Sequence, residues 1–239
     1  MKLKSFVGTF VIGVALSFAP AVANSKWEAK QAALAGKIMH EFAACVVESH
    51  PDLAREFVMM SPHQWVPQEK YEKLAGGKCL GFRGGKLQMQ REYYRGALAN
   101  RLITEDLNSE FKLEPSGIAA LTWEAPNLPS KINTKTGKPL EQAQLAKLES
   151  SYNLALGIHY VAQLGECIVR AAPVGARNVV DASVDSPAEM EALKVMNATI
   201  AGCVVSGQTL KFNRTNLRNA IAISYYRLAK AQLGTGASF

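Results

Sequence analysis

The chain has 239 residues, a formal net charge of +7, 48% hydrophobic and 20% charged residues, and four cysteines. At about 150 residues per domain it makes one domain or two small ones, and it is long enough to bury a core without staples. The modest basic excess bears on solubility and association, and gives no reason to expect a nucleic acid partner.

Lys2 and Lys4 precede an apolar run from Phe6 to Phe18, then Pro20 and the small-residue site Ala21-Val22-Ala23. That is the order of a secretory signal peptide. The alternative, an uncleaved membrane anchor, asks for roughly 20 apolar residues, which this run does not reach. Cleavage after Ala23 is expected to leave a mature chain of 216 residues (239 minus 23), periplasmic or secreted and without a transmembrane segment.

Ser25-Lys26-Trp27-Glu28 reads as a capping box. Trp27, Leu34, Ile38, Phe42 and Cys45 follow at helical spacing, predicting a first helix to about Glu48. Pro51 opens a short helix to about Met59, because its missing amide is an orphan in a first turn. Ser61-Pro62-His63-Gln64 offers another cap, but Pro67 interrupts it, so the next helix starts at Gln68 and stops at Gly76-Gly77. Gly81, Gly84 and Gly85 mark an irregular turn, after which Tyr94, Leu98 and Leu102 set a helix from about Gln90 to Leu107.

Residues 108–138, with Pro115, Gly117, Pro126, Pro129 and Gly137, read as a connecting loop. Trp123 within it serves either as an exposed recognition residue or, as burial of tryptophan favours, as a pin holding the loop to the body. Pro139 to Ala171 is the longest helical stretch, with Leu145, Leu148, Tyr152, Leu156, Tyr160, Leu164 and Cys167 on one side. Pro173 opens the next helix, and Ser186-Pro187-Ala188-Glu189 caps another carrying Met190, Leu193, Met196 and Ile200. Asn213 caps a final helix with Leu217, Ile221, Tyr225 and Leu228, and residues 234–239 fray.

One stretch occurs twice. Cys45-Val46-Val47, Pro51, Ala54-Arg55, Ser61-Pro62, Cys79, Leu87, Arg91, Arg95, Ala97 and Leu98 are echoed by Cys167-Ile168-Val169, Pro173, Ala176-Arg177, Ser186-Pro187, Cys203, Leu210, Arg214, Arg218, Ala220 and Ile221. The offset stays between 122 and 125 residues throughout, the signature of an internal duplication. Four cysteines allow three disulfide pairings, and the duplication selects Cys45 with Cys79 and Cys167 with Cys203. A zinc site wants closely spaced pairs, whereas the gaps here are 34, 88 and 36.

The recurrent Arg91, Arg95, Arg214 and Arg218 fall about 60° off the apolar stripes of their helices, at boundary positions. They either bind an anion at a helix N-terminus or pair with acids from the front half of each unit. Glu41 to Lys73 carries a surplus of acids and Lys78 to Arg101 a surplus of bases, which favours internal pairing. His40, His50, His63 and His159 form no zinc-protease motif, and Glu41, Glu48, Glu92 and Glu166 form no catalytic pattern. No nucleophile elbow is present, no metal site and no cofactor is expected, and the catalytic set is empty.

The expectation is therefore an all-α protein of two pseudo-symmetric, disulfide-stapled units of about four helices each, spanning 24–107 and 139–233. Its expected role is that of a non-enzymatic exported binding or scaffold protein, whose partner is another envelope protein or an anionic surface. Two alternatives stand beside it: an anionic envelope component bound through the paired arginines, and an envelope-directed hydrolase.

Overall fold

The computed structural model describes residues 25–62, 64, 66–76, 78, 79, 91–204 and 213–234, and of residues 25–33 the backbone alone. The expected signal peptide, the Ser25 capping box, the glycine turn at Gly81, Gly84 and Gly85, and the tail beyond Gly234 lie outside these described parts.

Among the described residues there are nine helices and no strand: α1 (Ser25–Ser49), α2 (Pro51–Met59), α3 (Gln68–Leu74), α4 (Arg91–Asp106), α5 (Gln142–Ala171), α6 (Pro173–Asp181), α7 (Pro187–Val195), α8 (Asn197–Cys203) and α9 (Arg214–Leu233). The starts follow local chemistry. Pro51 and Pro173 occupy first turns, where a missing amide costs nothing. Ser186 accepts from the Glu189 amide at 3.1 Å, and Asn213 accepts from the Asn216 amide at 2.8 Å. No helix of the described residues is long and apolar enough to cross a membrane.

Two expected boundaries move. The long helix α5 starts at Gln142 and not at Pro139, because Pro139 bridges to Ile132 and the Leu140 amide donates to Lys131 O at 3.0 Å. Those residues belong to a turn, and Glu141 with Gln144 then forms a capping box of its own. The single helix expected after Ser186 breaks at Met196, which is buried against Gly175. The break reorients α8 so that it packs on α5, where Cys203 bonds Cys167. In the first half Cys45 bonds Cys79, and no free cysteine remains.

The two halves share one core. A single hydrophobic cluster draws on α1, α2 and α4 from the first half and α5, α6 and α9 from the second. The helices α4 and α9 lie at its centre, packed on each other, with α1 and α2 beside α4 and α5 and α6 beside α9. The sequence predicts a stripe on α9, yet every residue from Leu217 to Ala229 is buried. A central helix is covered on all faces, so Arg218, Asn219, Ser224 and Arg227 are buried along with the stripe.

Close approach at this centre depends on missing side chains. A Cβ on Gly96 of α4 would lie 2.3 Å from Asn219 Cβ, and one on Gly165 of α5 would lie 2.5 Å from the Ala220 carbonyl oxygen. Gly96→Ala and Gly165→Ala are each expected to lower stability by about 1–3 kcal/mol in chemical denaturation, because overpacking forces two helices apart. Either variant unfolding at the wild-type midpoint would contradict this packing.

Candidate functional site

Arg95 and Arg218 do not sit at the boundary the sequence predicts; their side chains are 0% and 2% exposed. Their helices are central, so a flank 60° from the stripe still faces protein. Arg95 reaches the C-terminal end of α2, donating to Val58 O at 2.9 Å and to Met60 O, and to the Glu92 carboxylate at 3.0 Å. Arg218 does the same at the end of α6, donating to Val179 O at 2.6 Å, Val180 O at 2.9 Å and Ala182 O at 2.8 Å, and to Glu189 at 3.2 Å. Helix C-termini present unpaired carbonyls and the negative end of the dipole, which a guanidinium satisfies with several donors at once.

The other two recurrent arginines lie further out. Arg214 pairs with Asp185 and, at 3.5 Å, with Glu189. Arg91 is half-buried with its guanidinium 5.2 Å from the Phe57 ring centre, and its Nε and Nη2 have no hydrogen-bond partner among the described residues. Burial, with the charge of Arg95 adding to it, lowers the Arg91 pKa. The four arginines thus occupy different surroundings, Arg95 and Arg218 buried, Arg91 and Arg214 partly exposed.

His40 of α1 is partly buried near Arg218 and Asp185. Burial, and then the Arg218 charge, lowers its pKa from 6.5 to about 4, against a smaller opposing effect of Asp185. The unfolded chain therefore takes up this proton at higher pH than the folded one, so the stability tied to neutral His40 is present above pH 6.5 and is lost as pH falls towards 4. His40→Gln is expected to flatten the acid limb of a plot of unfolding midpoint against pH; an unchanged limb would contradict the assignment.

The connecting loop is tied to α5. Glu166, 7% exposed, accepts from the Leu121 amide at 2.9 Å, from Trp123 Nε1 at 2.6 Å and from Arg170 at 2.8 Å. Arg170 in turn donates to the carbonyls of Pro115, Ile118 and Ala119. Trp123 is thereby a pin, and its indole also covers the guanidinium of Arg227 at 4.4 Å. Glu166, one of the four glutamates that form no catalytic pattern in the sequence, holds this loop.

Beside the pin lies a cavity of about 390 Å³ between the start of α4, the middle of α5 and the first half of α9. Its apolar lining includes Trp123, Leu154, Ile158, Val161, Ala220 and Ile223. Polar groups from Glu92, Asn153, Asn216 and Asn219 also reach it. Volumes of roughly 300–1,000 Å³ with a mainly apolar lining and a few polar groups are typical of small-molecule sites. None of the four recurrent arginines lines the cavity; Glu92 does.

The sequence carries a signal for this cavity outside the stripe that predicts the α5 core face. Leu154, Ile158 and Val161 form a second stripe on α5 at i, i+4 and i+7, beside the one through Leu156 and Tyr160. Leu154 is 62% exposed, and Gly157 between the stripes would meet nothing within 4 Å of an added Cβ. Among the described residues no group of three or more His, Cys, Asp and Glu gathers as a metal site. No protein-family model matches the chain, and neither a curated protein nor a solved structure matches it.

Proposed function

We propose that this chain is an exported, non-enzymatic binding protein, built from two copies of one helical unit, which takes an apolar small molecule into the cavity between α4, α5 and α9. The cavity is the observation that carries the reading. Two carboxylates beside it are engaged, Glu92 by Arg95 and Glu166 by Arg170 and the loop, which favours binding over acid–base chemistry.

Export is supported by the order of charged, apolar and small residues at 1–23 and by two disulfides, which persist in oxidising compartments. Duplication is supported by more than spacing. Arg95 bonds the carbonyls of residues 58 and 60, and Arg218, 123 residues later, bonds those of 180 and 182, each 122 residues later. The disulfides close separations of 34 and 36 residues in the same relation to these arginines. Gly96 and Asn219, also 123 apart, face each other where α4 crosses α9, as equivalent positions do on a pseudo-two-fold axis.

A neutral apolar fluorophore such as N-phenylnaphthylamine tests the reading. Saturable emission enhancement at one site per chain is expected; emission that stays at the level of the free probe would overturn it.

A further inference from the structure

The head group of the ligand can be inferred from one carboxamide in the cavity wall, an argument that rests on the cavity reading above. Asn219 of α9 lines the cavity at the crossing with α4, where a Cβ on Gly96 would lie 2.3 Å from the Asn219 Cγ and 2.5 Å from its Oδ1. The asparagine is 5% exposed, and its side chain makes no hydrogen bond among the described residues. Glycine has no side chain to offer it, so α4 holds the carboxamide in place without satisfying it. Asn100 shows the ordinary case, donating to Val180 O at 2.6 Å and accepting from Arg218 at 3.2 Å. A buried carboxamide left unpaired costs free energy, and the cavity is the side of Asn219 on which a partner can enter.

Charge narrows the head group further. Among the described residues the lining holds one carboxylate, Glu92, and no lysine, arginine or histidine. An anionic head would therefore face Glu92 with no cation in the wall to offset it. A cationic head gains little from that carboxylate, which already accepts from Arg95 at 3.0 Å, and the Arg227 guanidinium lies behind the Trp123 indole. A head of either sign also loses its hydration on entering a mainly apolar space. A neutral head avoids these costs, and the Asn219 carboxamide offers it an acceptor oxygen and an N–H donor group.

We infer that the cavity takes a neutral amphiphile, with an apolar body along Leu154, Ile158 and Val161 and an uncharged head that both donates and accepts a hydrogen bond, paired with the carboxamide of Asn219. A primary amide meets that description in full, because two carboxamides can exchange two hydrogen bonds. An ester only accepts, and so meets half of it.

Decanamide, methyl decanoate, decanoate and decyltrimethylammonium, each competing with N-phenylnaphthylamine on the full chain, separate the outcomes. Decanamide is expected to displace the fluorophore at a concentration about three-fold or more below the ester and about ten-fold or more below either charged probe. An ester or a charged probe that matches decanamide would overturn the inference, while saturable fluorophore binding keeps the cavity reading standing. A fluorophore that does not bind would remove both. Asn219→Leu is expected to erase the advantage of decanamide over the ester, and a leucine variant that keeps it would overturn the pairing with Asn219. Should that variant not fold, the wild-type chain decides: the Asn219 side-chain amide resonances are expected to move further with saturating decanamide than with saturating methyl decanoate, and equal movement overturns the proposal.

Discussion

Arg218→Leu is expected to destabilise the protein by about 3–5 kcal/mol, the usual cost of removing one partner from a buried pair. The leucine fills part of the space but supplies no donor. The carbonyls of Val179 and Ala182 at the end of α6 lose the Arg218 donors, Val180 O keeps only the bond from Asn100 Nδ2 at 2.6 Å, and Asn100 Oδ1 loses one too. Glu189, 1% exposed, keeps the Asp185 amide and a 3.5 Å contact to Arg214 but loses its buried cation. Arg218→Lys is expected to recover only part of the loss, because an ammonium cannot reproduce a planar fork that serves several carbonyls. Arg95→Leu should cost less, since its partner Glu92 has a side chain 22% exposed and is hydrated more readily. Equilibrium denaturation in urea measures all three; a loss below about 1 kcal/mol for Arg218→Leu would mean that burial of this arginine is misplaced.

Removing either disulfide is expected to cost roughly 4 kcal/mol, on the chain-entropy account of closing loops of about 35 residues. The sequence separations, 34 and 36, make the two bridges nearly equal in that respect. The consequences for the native state should differ. Helix α8 has seven residues and buries none of them, and an isolated helix so short is unstable in water. Cys167→Ser with Cys203→Ser is therefore expected to release α8 selectively, with hydrogen exchange over Asn197–Cys203 rising to the unprotected rate while α9 stays protected. The matching Cys45→Ser, Cys79→Ser pair should leave α8 unaffected. A melting temperature insensitive to reductant would contradict both expectations.

What the sequence disclosed, and what it concealed, divides along the range of the interactions. Helix starts at Pro51, Pro173, Ser186 and Asn213 were legible because each is decided within four residues by a missing amide or a capping oxygen. The pairing of the cysteines was legible in their matched sequence separations of 34 and 36. The burial of Arg95 and Arg218 was not, because a stripe on one helix cannot tell how many neighbours cover its other faces. Nor could Trp123 be matched with Glu166, 43 residues away, since nothing local couples a loop aromatic to a helix carboxylate. The cavity stayed hidden for a related reason. The stripe through Leu156 and Tyr160 predicts one apolar face for α5, and Leu154, Ile158 and Val161 belong to a second that faces α9 across open space.

That open space makes Gly157 the sharpest probe of the account. A side chain there enters the cavity without meeting a neighbour within 4 Å of its Cβ, so the change alters the site and spares the packing. Leucine also replaces glycine inside a helix, which favours the helix by roughly 0.5–1 kcal/mol. The decisive measurement is the affinity of N-phenylnaphthylamine for wild type and Gly157→Leu, with urea unfolding run on both. The account predicts a variant at least as stable as wild type whose probe affinity falls by about ten-fold or more, as a filled cavity requires. Equal affinities in two equally stable proteins would place the ligand elsewhere and contradict it.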